Sequence, residues 1–412
     1  MKFLLYGINF APELTGIGKY SGEMVEFLSS KGHEVTVVTA PPYYPEWEIK
    51  APYKKWLYQK ENLHGATVIR CPMYVPSHPR TLTRLVHLVD FALSSFFGLF
   101  FQVRKKPDVI MVVEPTFFCV PATLLFAKMT GAKTWLHIQD FEIDAMFGLG
   151  MAGGAGFLKR IAYAVESWLL KRFDVVSSIS HSMLKRAETK GVDAARLRFL
   201  PNWADMEMIK PMPGNQYYRN LWQLRDDDIV LLYSGNIGKK QGLEMIIEAA
   251  RHFAQNDRVK FVIVGDGAHK AELQQQAEGL FNIQFHPLQP YENLSRLMAV
   301  ADIHLVVQKA GAADLVLPSK LTTILAAGGY SIITADNGTA LGDFCEANPG
   351  IAWRVAPEDT EAFISMIQQT VDGQGSRAEV NALARAYAEK NIERKAVLGR
   401  LECDLLAFTG EQ

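Results

Sequence analysis

Lys320 stands at the head of a helical apolar pattern, LPSKLTTILAAGG, that runs from Leu317 to Gly329. Pro318 suits the first turn of a helix, and with Ser319 and Lys320 beside it a phosphate would meet backbone N–H groups, a hydroxyl and an ammonium together. Two further stretches offer the same kind of chemistry. GIGK, Gly16 to Lys19, brings the N–H groups of Gly16, Ile17 and Gly18 to a helix start, where the dipole and the unpaired donors favour an anion. SGNIGKKQG, Ser234 to Gly242, repeats that arrangement: Gly235 makes the turn, Asn236 is a side-chain donor, and Lys239 and Lys240 add charge. None of these is a complete P-loop or a full GxGxxG. A structural turn or an ordinary capped helix explains each one alone, so the recurrence is what points to an anionic ligand. Proton chemistry has one candidate, WLHIQD, where His137 and Asp140 close an apolar strand. A histidine there reads equally as a satisfied core group; His33 and His286 read as structural.

Those residues need a scaffold, and the chain supplies two. KFLLYGI, a glycine-punctuated loop, a helical pattern through Tyr20, Met24, Phe27 and Leu28, and EVTVVTA make a βαβ unit with a right-handed crossover. The series restarts at IVLLYSG from Ile229 and continues to KFVIVGDG, which ends at Gly267. Strands are expected near residues 67–71, 108–113, 133–138, 174–179 and 197–200 in the first half. In the second they are expected near 259–264, 283–285, 302–307, 330–334 and 351–355. Helical stretches between most of them predict mostly parallel sheets. The segment Pro41 to Tyr58, with four prolines and six aromatics, is expected as a loop at the carboxyl end of a strand, the edge where ligands sit in such sheets.

At 412 residues the chain exceeds one comfortable core. The expected division is a first domain at 1–203, a linker at 204–226, a second domain at 227–385 and a C-terminal helix at 386–412 long enough to cross back to the first. With 43 basic and 44 acidic residues the net charge of −1 gives no attraction to a polyanion, which disfavours nucleic acid as a partner. Cys71, Cys119, Cys345 and Cys403 are scattered without a CxxC, so no metal site is expected and a reducing cytoplasm fits. Asp226 to Asp228 reads as a polar turn rather than a hard-cation site. Met1 leads straight into a strand, and no signal peptide is expected.

One segment stands apart. Leu85 to Phe101 is strongly apolar, yet His87 and Asp90 interrupt it, so it is not expected to span a bilayer. An interior helix is the plainer reading. A membrane-surface helix stays open beside it, because Arg80 and Arg84 precede it and Arg104, Lys105 and Lys106 follow. Gly156 to Phe173 pairs Trp168 and Leu169 with Lys159, Arg160, Lys171 and Arg172 and raises the same alternative.

Taken in order, YGINFAPELTGIGKY, SSKGHEVTVVTAPPYYP, LHIQDFEIDAMFGLG, LPNWAD, LYSGNIGKKQGLE, FVIVGDG and VLPSKLTTILAAGG resemble a GT-B glycosyltransferase. The resemblance is to the large retaining family 4-like group that includes many bacterial exopolysaccharide and lipopolysaccharide enzymes, and within it to the colanic acid biosynthesis fucosyltransferases. It implies an α/β fold of two Rossmann-like domains with mostly parallel sheets facing a cleft. It implies a metal-independent hexosyl transfer from a nucleotide sugar, a co-substrate rather than a cofactor, with GDP-fucose as the expected donor. The implied acceptor is an undecaprenyl-diphosphate-linked saccharide, met at the inner face of the cytoplasmic membrane.

By the same resemblance, Gly265, Asp266 and Gly267 lie near the nucleoside; Gly235, Asn236, Lys240, Ser319 and Lys320 lie near the diphosphate; and Gly16 and Gly18 approach it from the first domain. Asp140 takes the place of an acidic or His-Asp group facing the reaction centre, with His137 as its neighbour. Many family members carry two glutamates with seven residues between them, where this chain has Leu315 and Thr323. That departure keeps a non-catalytic nucleotide-sugar-binding partner, and a sugar-nucleotide epimerase, as alternatives. In the transferase, charge grows on the leaving diphosphate, so preorganised N–H dipoles and lysines carry the stabilisation.

Overall fold

The computed structural model describes residues 1–13, 16–77, 81–144, 156–310, 318–373 and 380–410. Two compact units form: Met1–Pro201 with Leu398–Gln412, and Asn202–Val397.

The first unit holds an eight-stranded sheet. Its strands are β1 (Lys2–Tyr6), β2 (Glu34–Thr39), β3 (Gln59–Leu63), β4 (Ala66–Arg70), β5 (Val109–Glu114), β6 (Lys133–Ile138), β7 (Val175–Ser178) and β8 (Leu197–Phe199), in the order β3-β4-β2-β1-β5-β6-β7-β8. Every neighbouring pair is parallel except β3 with β4, an antiparallel edge hairpin absent from the sequence-based expectation. β3 alternates half-buried and exposed polar residues and carries no apolar run to announce it. β5, by contrast, is buried at all six positions, as a central parallel strand should be.

Helices α1 (Gly16–Ser30), α2 (Thr81–Phe100), α3 (Val120–Thr130), α4 (Gly156–Leu170) and α5 (His181–Thr189) join the strands. The step from β1 through α1 to β2 moves one way along the sheet. Those through α2, α3, α4 and α5 move the other way. Right-handed crossovers therefore set α1 on one face and the other four on the opposite face. Local signals agree with these helices: α3 opens with a proline in its first turn and ends at Gly131, whose φ of 80° suits a left-handed cap.

In the second unit β9 (Ile229–Ser234), β10 (Val259–Val264), β11 (Ile283–His286), β12 (Ile303–Val306), β13 (Ser331–Thr334) and β14 (Trp353–Val355) are parallel throughout, ordered β11-β10-β9-β12-β13-β14. Among them run α6 (Tyr217–Leu221), α7 (Glu244–His252), α8 (Lys270–Gln276), α9 (Leu294–Met298) and α10 (Ser319–Ala327). α11 (Ala340–Ala347), α12 (Thr360–Gly373), α13 (Ala382–Asn391) and α14 (Arg394–Thr409) follow. Alternate residues feed two core layers. Val230, Leu232, Val262 and Val264 face one side, and Leu231, Tyr233, Phe261 and Ile263 the other.

Two details differ from the sequence expectation. The stretch read as a linker packs into the second unit, where Tyr218 and Trp222 are buried in the core. The terminal helical region is two helices rather than one. Ala204 bridges Glu393, taking its N–H to Ile392 O at 2.8 Å and accepting from Arg394 N at 3.1 Å, so another strand of chain supplies the bonds a continuous helix would have made. From Leu398 onward α14 belongs to the first unit. There His33 Nε2 lies 3.0 Å from Glu402 Oε1, and Trp135 meets Phe408 edge-on.

Candidate functional site

β9 and β10 end in register, Ser234 opposite Val264, so the loops that follow leave the carboxyl edge side by side. They are laced together: Gly235 N–H donates to Val264 O at 2.9 Å and Ile237 N–H to Asp266 O at 2.8 Å. A Cβ on Gly265 would overlap the carbonyl oxygen of Gly235, and one on Gly267 would overlap that of Ile237. Glycine is required at both places by this close backbone approach. The exposed Asp266 turns its Oδ1 back to Gly267 N–H at 2.8 Å. Beneath, the Tyr233 hydroxyl donates to Asn236 O at 2.7 Å, and Lys270 Nζ to Gly265 O at 2.9 Å.

α10 begins beside these loops. Among the described residues no side chain caps its first turn, and the Lys320 ammonium lies 3.9 Å from the centre of the Tyr233 ring. Its Cε and Nζ come within 3.3 Å of where a Cβ on Gly235 would stand. No carboxylate pairs with Lys320 among the described residues, and burial pulls its pKa down to about 7. A desolvated ammonium, a helix start and two glycine loops converge on one edge. That combination suits an anion. Ser319 is exposed at the same end of α10, and Thr323 is half-buried one turn on.

SGNIGKKQG is built differently from a loop that runs directly into a helix. Lys239–Gln241 form one 3-10 turn, Gly242 adopts φ 65°, and α7 begins only at Glu244. The first turn of α7 is thus occupied by its own carboxylate, which also takes Lys309 Nζ at 3.2 Å and His269 Nε2 at 3.1 Å. Asn236 and Lys240 are exposed, and the Lys240 carbonyl accepts from Lys309 N–H at 3.0 Å.

On the first unit, β6 delivers the chain to Asp140, which is exposed at a bend beyond the strand. His137 turns inward instead. Its Nδ1 lies 2.9 Å from Ser177 Oγ and its Nε2 3.1 Å from the Gln139 amide, and burial lowers its pKa to about 4. Both ring nitrogens are spent on protein partners, so His137 supports the strand end rather than offering a free base. Close to Asp140 lie two carboxyls that sequence reasoning passed over. Glu114 and Glu142 are buried, each with one oxygen that finds no hydrogen-bond partner among the described residues. Glu142 Oε2 accepts Phe117 N–H at 2.7 Å, while burial, with the Asp140 charge adding, pushes its pKa up to about 7. Burial raises Glu114 well above the carboxylate range.

Gly16 opens α1 with φ 61° and is exposed, the Tyr44 ring 3.7 Å from where its Cβ would be. Gly18 is buried, and a Cβ there would run into the side chain of Glu13. That carboxylate accepts Tyr43 N–H and Tyr44 N–H, both at 3.0 Å, and Asn9 Nδ2 at 2.9 Å. It ties the loop after β2 to the loop before α1. Glu13 carries no sequence signal beyond its place in the loop, and Lys270 none beyond following GDG. Leu315 and Leu317 lie outside the described residues.

Residues 15–203 match the glycosyl transferase 4-like domain, and residues 216–387 match glycosyl transferases group 1. The chain is 50% identical over 411 residues to the "Putative colanic acid biosynthesis glycosyl transferase WcaI" of Escherichia coli K12, a match covering 98% of this chain and 100% of that one. Among solved structures, sucrose-phosphate synthase from Thermosynechococcus elongatus superposes with TM-score 0.70 at 15% identity, covering 99% of this chain and 100% of that one. Anabaena HepE in complex with UDP gives 0.69 at 14% identity, again over 99% and 100%. These structural likenesses show the GT-B fold; the sequence matches reach further, and by them the chain belongs to the retaining GT-B glycosyltransferases of the group 1, family 4-like type.

Proposed function

We infer that the protein transfers a hexosyl group from a nucleotide sugar, GDP-fucose, to a lipid-linked saccharide during assembly of a colanic acid-type exopolysaccharide. The observation that carries the donor half is Lys320, a desolvated ammonium with no carboxylate partner among the described residues, set against Gly235 at the start of α10. Such a group gains most from a ligand bearing two phosphates, and its charge grows more valuable as the sugar–phosphate bond breaks and negative charge collects on the leaving diphosphate. Ser319 extends the same anion site. Gly235 and Asn236 line it from the β9 loop, with Lys240 beyond them, and Gly265, Asp266 and Gly267 offer backbone groups to the nucleoside. Thr323, where many relatives carry glutamate, leaves ribose contact to the neighbouring backbone.

Asp140 is the acidic group assigned to face the reaction centre, with His137 holding the strand end behind it, and Gly16 and Gly18 belong to the loop that approaches the donor. The exopolysaccharide assignment is supported by the half-identical relative, a putative colanic acid biosynthesis glycosyl transferase. An acceptor on an undecaprenyl diphosphate places the enzyme at the inner face of the cytoplasmic membrane.

Calorimetric titration of the purified protein with GDP-fucose, GDP-mannose, UDP-glucose and UDP-galactose tests the donor. Selective binding of GDP-fucose is expected. Binding of a UDP-sugar alone would overturn the fucosyl assignment while leaving the transferase reading in place.

A further inference from the structure

The outer sides of α2, α3 and α4 are apolar and basic. On α2, Leu82, Val86, Leu93 and Phe97 are exposed, Phe97 by 58%, and steps of four, seven and four put them on one side of the helix. Its other side, with His87, Phe91, Ser95 and Leu99, is buried. α2 is long and apolar enough to cross a membrane by length and composition, yet it lies packed along the sheet.

The exposed stripe does not stop at the helix. Phe101 continues it, and Tyr58 ties a loop to it, donating its hydroxyl to Ser94 O at 2.7 Å and meeting Phe101 edge-on at 6.5 Å. The same loop exposes Trp56 by 66% and Leu57 by 55%. α3 exposes Leu125 and Met129. α4 exposes Phe157, Ile161, Val165 and Trp168, spaced by four, four and three, with Phe157 open by 79%. Since the β4-to-β5, β5-to-β6 and β6-to-β7 connections run the same way along the sheet, all three helices share one face.

Among the described residues the exposed charges carried by α2, α3, α4 and the turn after α2 are basic. Arg104, Lys106, Lys128, Lys159 and Arg160 are exposed, while Arg84 lies on the other side of α2, against the Trp47 ring. The acids within the three helices are Asp90, which accepts Tyr74 N–H at 2.6 Å, and Glu166, buried against Lys190.

We propose that this face of the first unit docks on an anionic lipid bilayer, with the aromatic side chains of α2, α4 and the Trp56 loop entering the headgroup boundary and the arginines and lysines meeting acidic headgroups. Aromatic and aliphatic stripes flanked by cations are what an interfacial helix needs. A second copy of the chain fits worse, because a self-paired face would set these cations against one another. The proposal deepens the reading of a lipid-linked acceptor by naming the surface that reaches it, and the α2 residues at its centre include no donor-site residue.

Sedimentation with vesicles of phosphatidylcholine alone, and of phosphatidylcholine with added phosphatidylglycerol, tests it. Wild-type protein is expected to bind the acidic vesicles roughly tenfold better and to lose that advantage in high salt. Phe97→Glu with Leu93→Glu should abolish binding, and Lys159→Glu with Arg160→Glu, which alters exposed positions and leaves folding intact, should weaken it several-fold. Both variants should bind nucleotide sugar as the wild type does. Equal sedimentation of wild type and charge variant overturns the proposal, as does a concentration-dependent dimer, dispersed by Phe97→Glu, in a protein that ignores vesicles. Vesicle binding that persists in a protein failing to bind any nucleotide sugar would sink the donor reading and leave the docking surface standing.

Discussion

Lys320 holds its ammonium over the ring of Tyr233, and the hydroxyl of the same tyrosine bonds to Asn236 O in the loop above. One aromatic side chain therefore props the β9 loop and gives the lysine a favourable neighbour, with no carboxylate paired to it among the described residues. A ring face offsets part of the cost of a desolvated cation but does not replace a counter-ion. The site is left with a positive charge that an anion would relieve.

The unliganded protein should be more stable without that charge. Lys320 has a folded-state pKa of about 7 against an ordinary 10.5. Between those values the unfolded chain binds the extra proton, so stability rises with pH across that window, and below about pH 7 the full penalty remains. Lys320→Met should raise the melting temperature at pH 6, with the gain shrinking toward pH 10, and should weaken nucleotide-sugar binding by about 10–100-fold, the worth of one charge-assisted hydrogen bond. A variant that melts lower than wild type at pH 6, or binds donor unchanged, removes Lys320 from the anion site.

Gly265→Ala tests the close approach of the two loops. The added methyl would overlap a backbone carbonyl, which cannot rotate away as a side chain could. The loops must part, at a cost of about 1–3 kcal/mol by analogy with overpacked cores. Differential scanning calorimetry should show a lowered melting temperature, and donor titration a loss of affinity. Gly238→Ala, whose neighbours are the side chains of Gln241 and Asn236, should cost less.

Much of this was legible in the chain. Apolar runs ending in glycine marked β9, β10 and their loops, because parallel central strands are buried on both faces and their loops must approach closely. β3 was missed for the opposite reason, since its polar residues lie at an edge and bury little. Glu114, Glu142 and Glu13 were invisible as site elements. A buried carboxyl is recognised by what surrounds it, and its surroundings come from segments distant in sequence, as Phe117 does for Glu142 and Tyr43 for Glu13. His137 shows the reverse. Its type and position suggested chemistry, and only the partners on both nitrogens reveal an interior role.

His137 and Asp140 should accordingly separate on mutation. Burial that holds His137 near pKa 4, below its ordinary 6.5, makes stability fall as pH drops from 6.5 to 4, where the unfolded chain takes up the proton first. In His137→Gln that part of the acid sensitivity should disappear from the melting profile. Asp140→Ala should keep the wild-type melting temperature within a degree or so, as an exposed position usually does, and lose turnover in a transfer assay. Full activity in Asp140→Ala would end its catalytic assignment.

Glu142 gives the clearest pH signature, with the opposite sign. Its pKa of about 7 stands above the ordinary 4.5, so between those values the folded protein holds a proton that the unfolded chain has released, and stability falls as pH rises through the window. Above pH 7 the folded protein must carry a buried carboxylate, one oxygen of which has no partner among the described residues. Glu142→Gln keeps an acceptor for Phe117 N–H and removes that charge. Its melting temperature should match the wild type near pH 4.5 and exceed it at pH 8. Because the Asp140 charge also raises Glu142, Asp140→Asn should pull the Glu142 titration downward, an effect readable by carbon NMR of the labelled carboxyl. If Glu142 titrates at the same pH in both proteins, the two carboxyls do not sense each other, and the acidic floor beneath Asp140 plays no part in setting its charge.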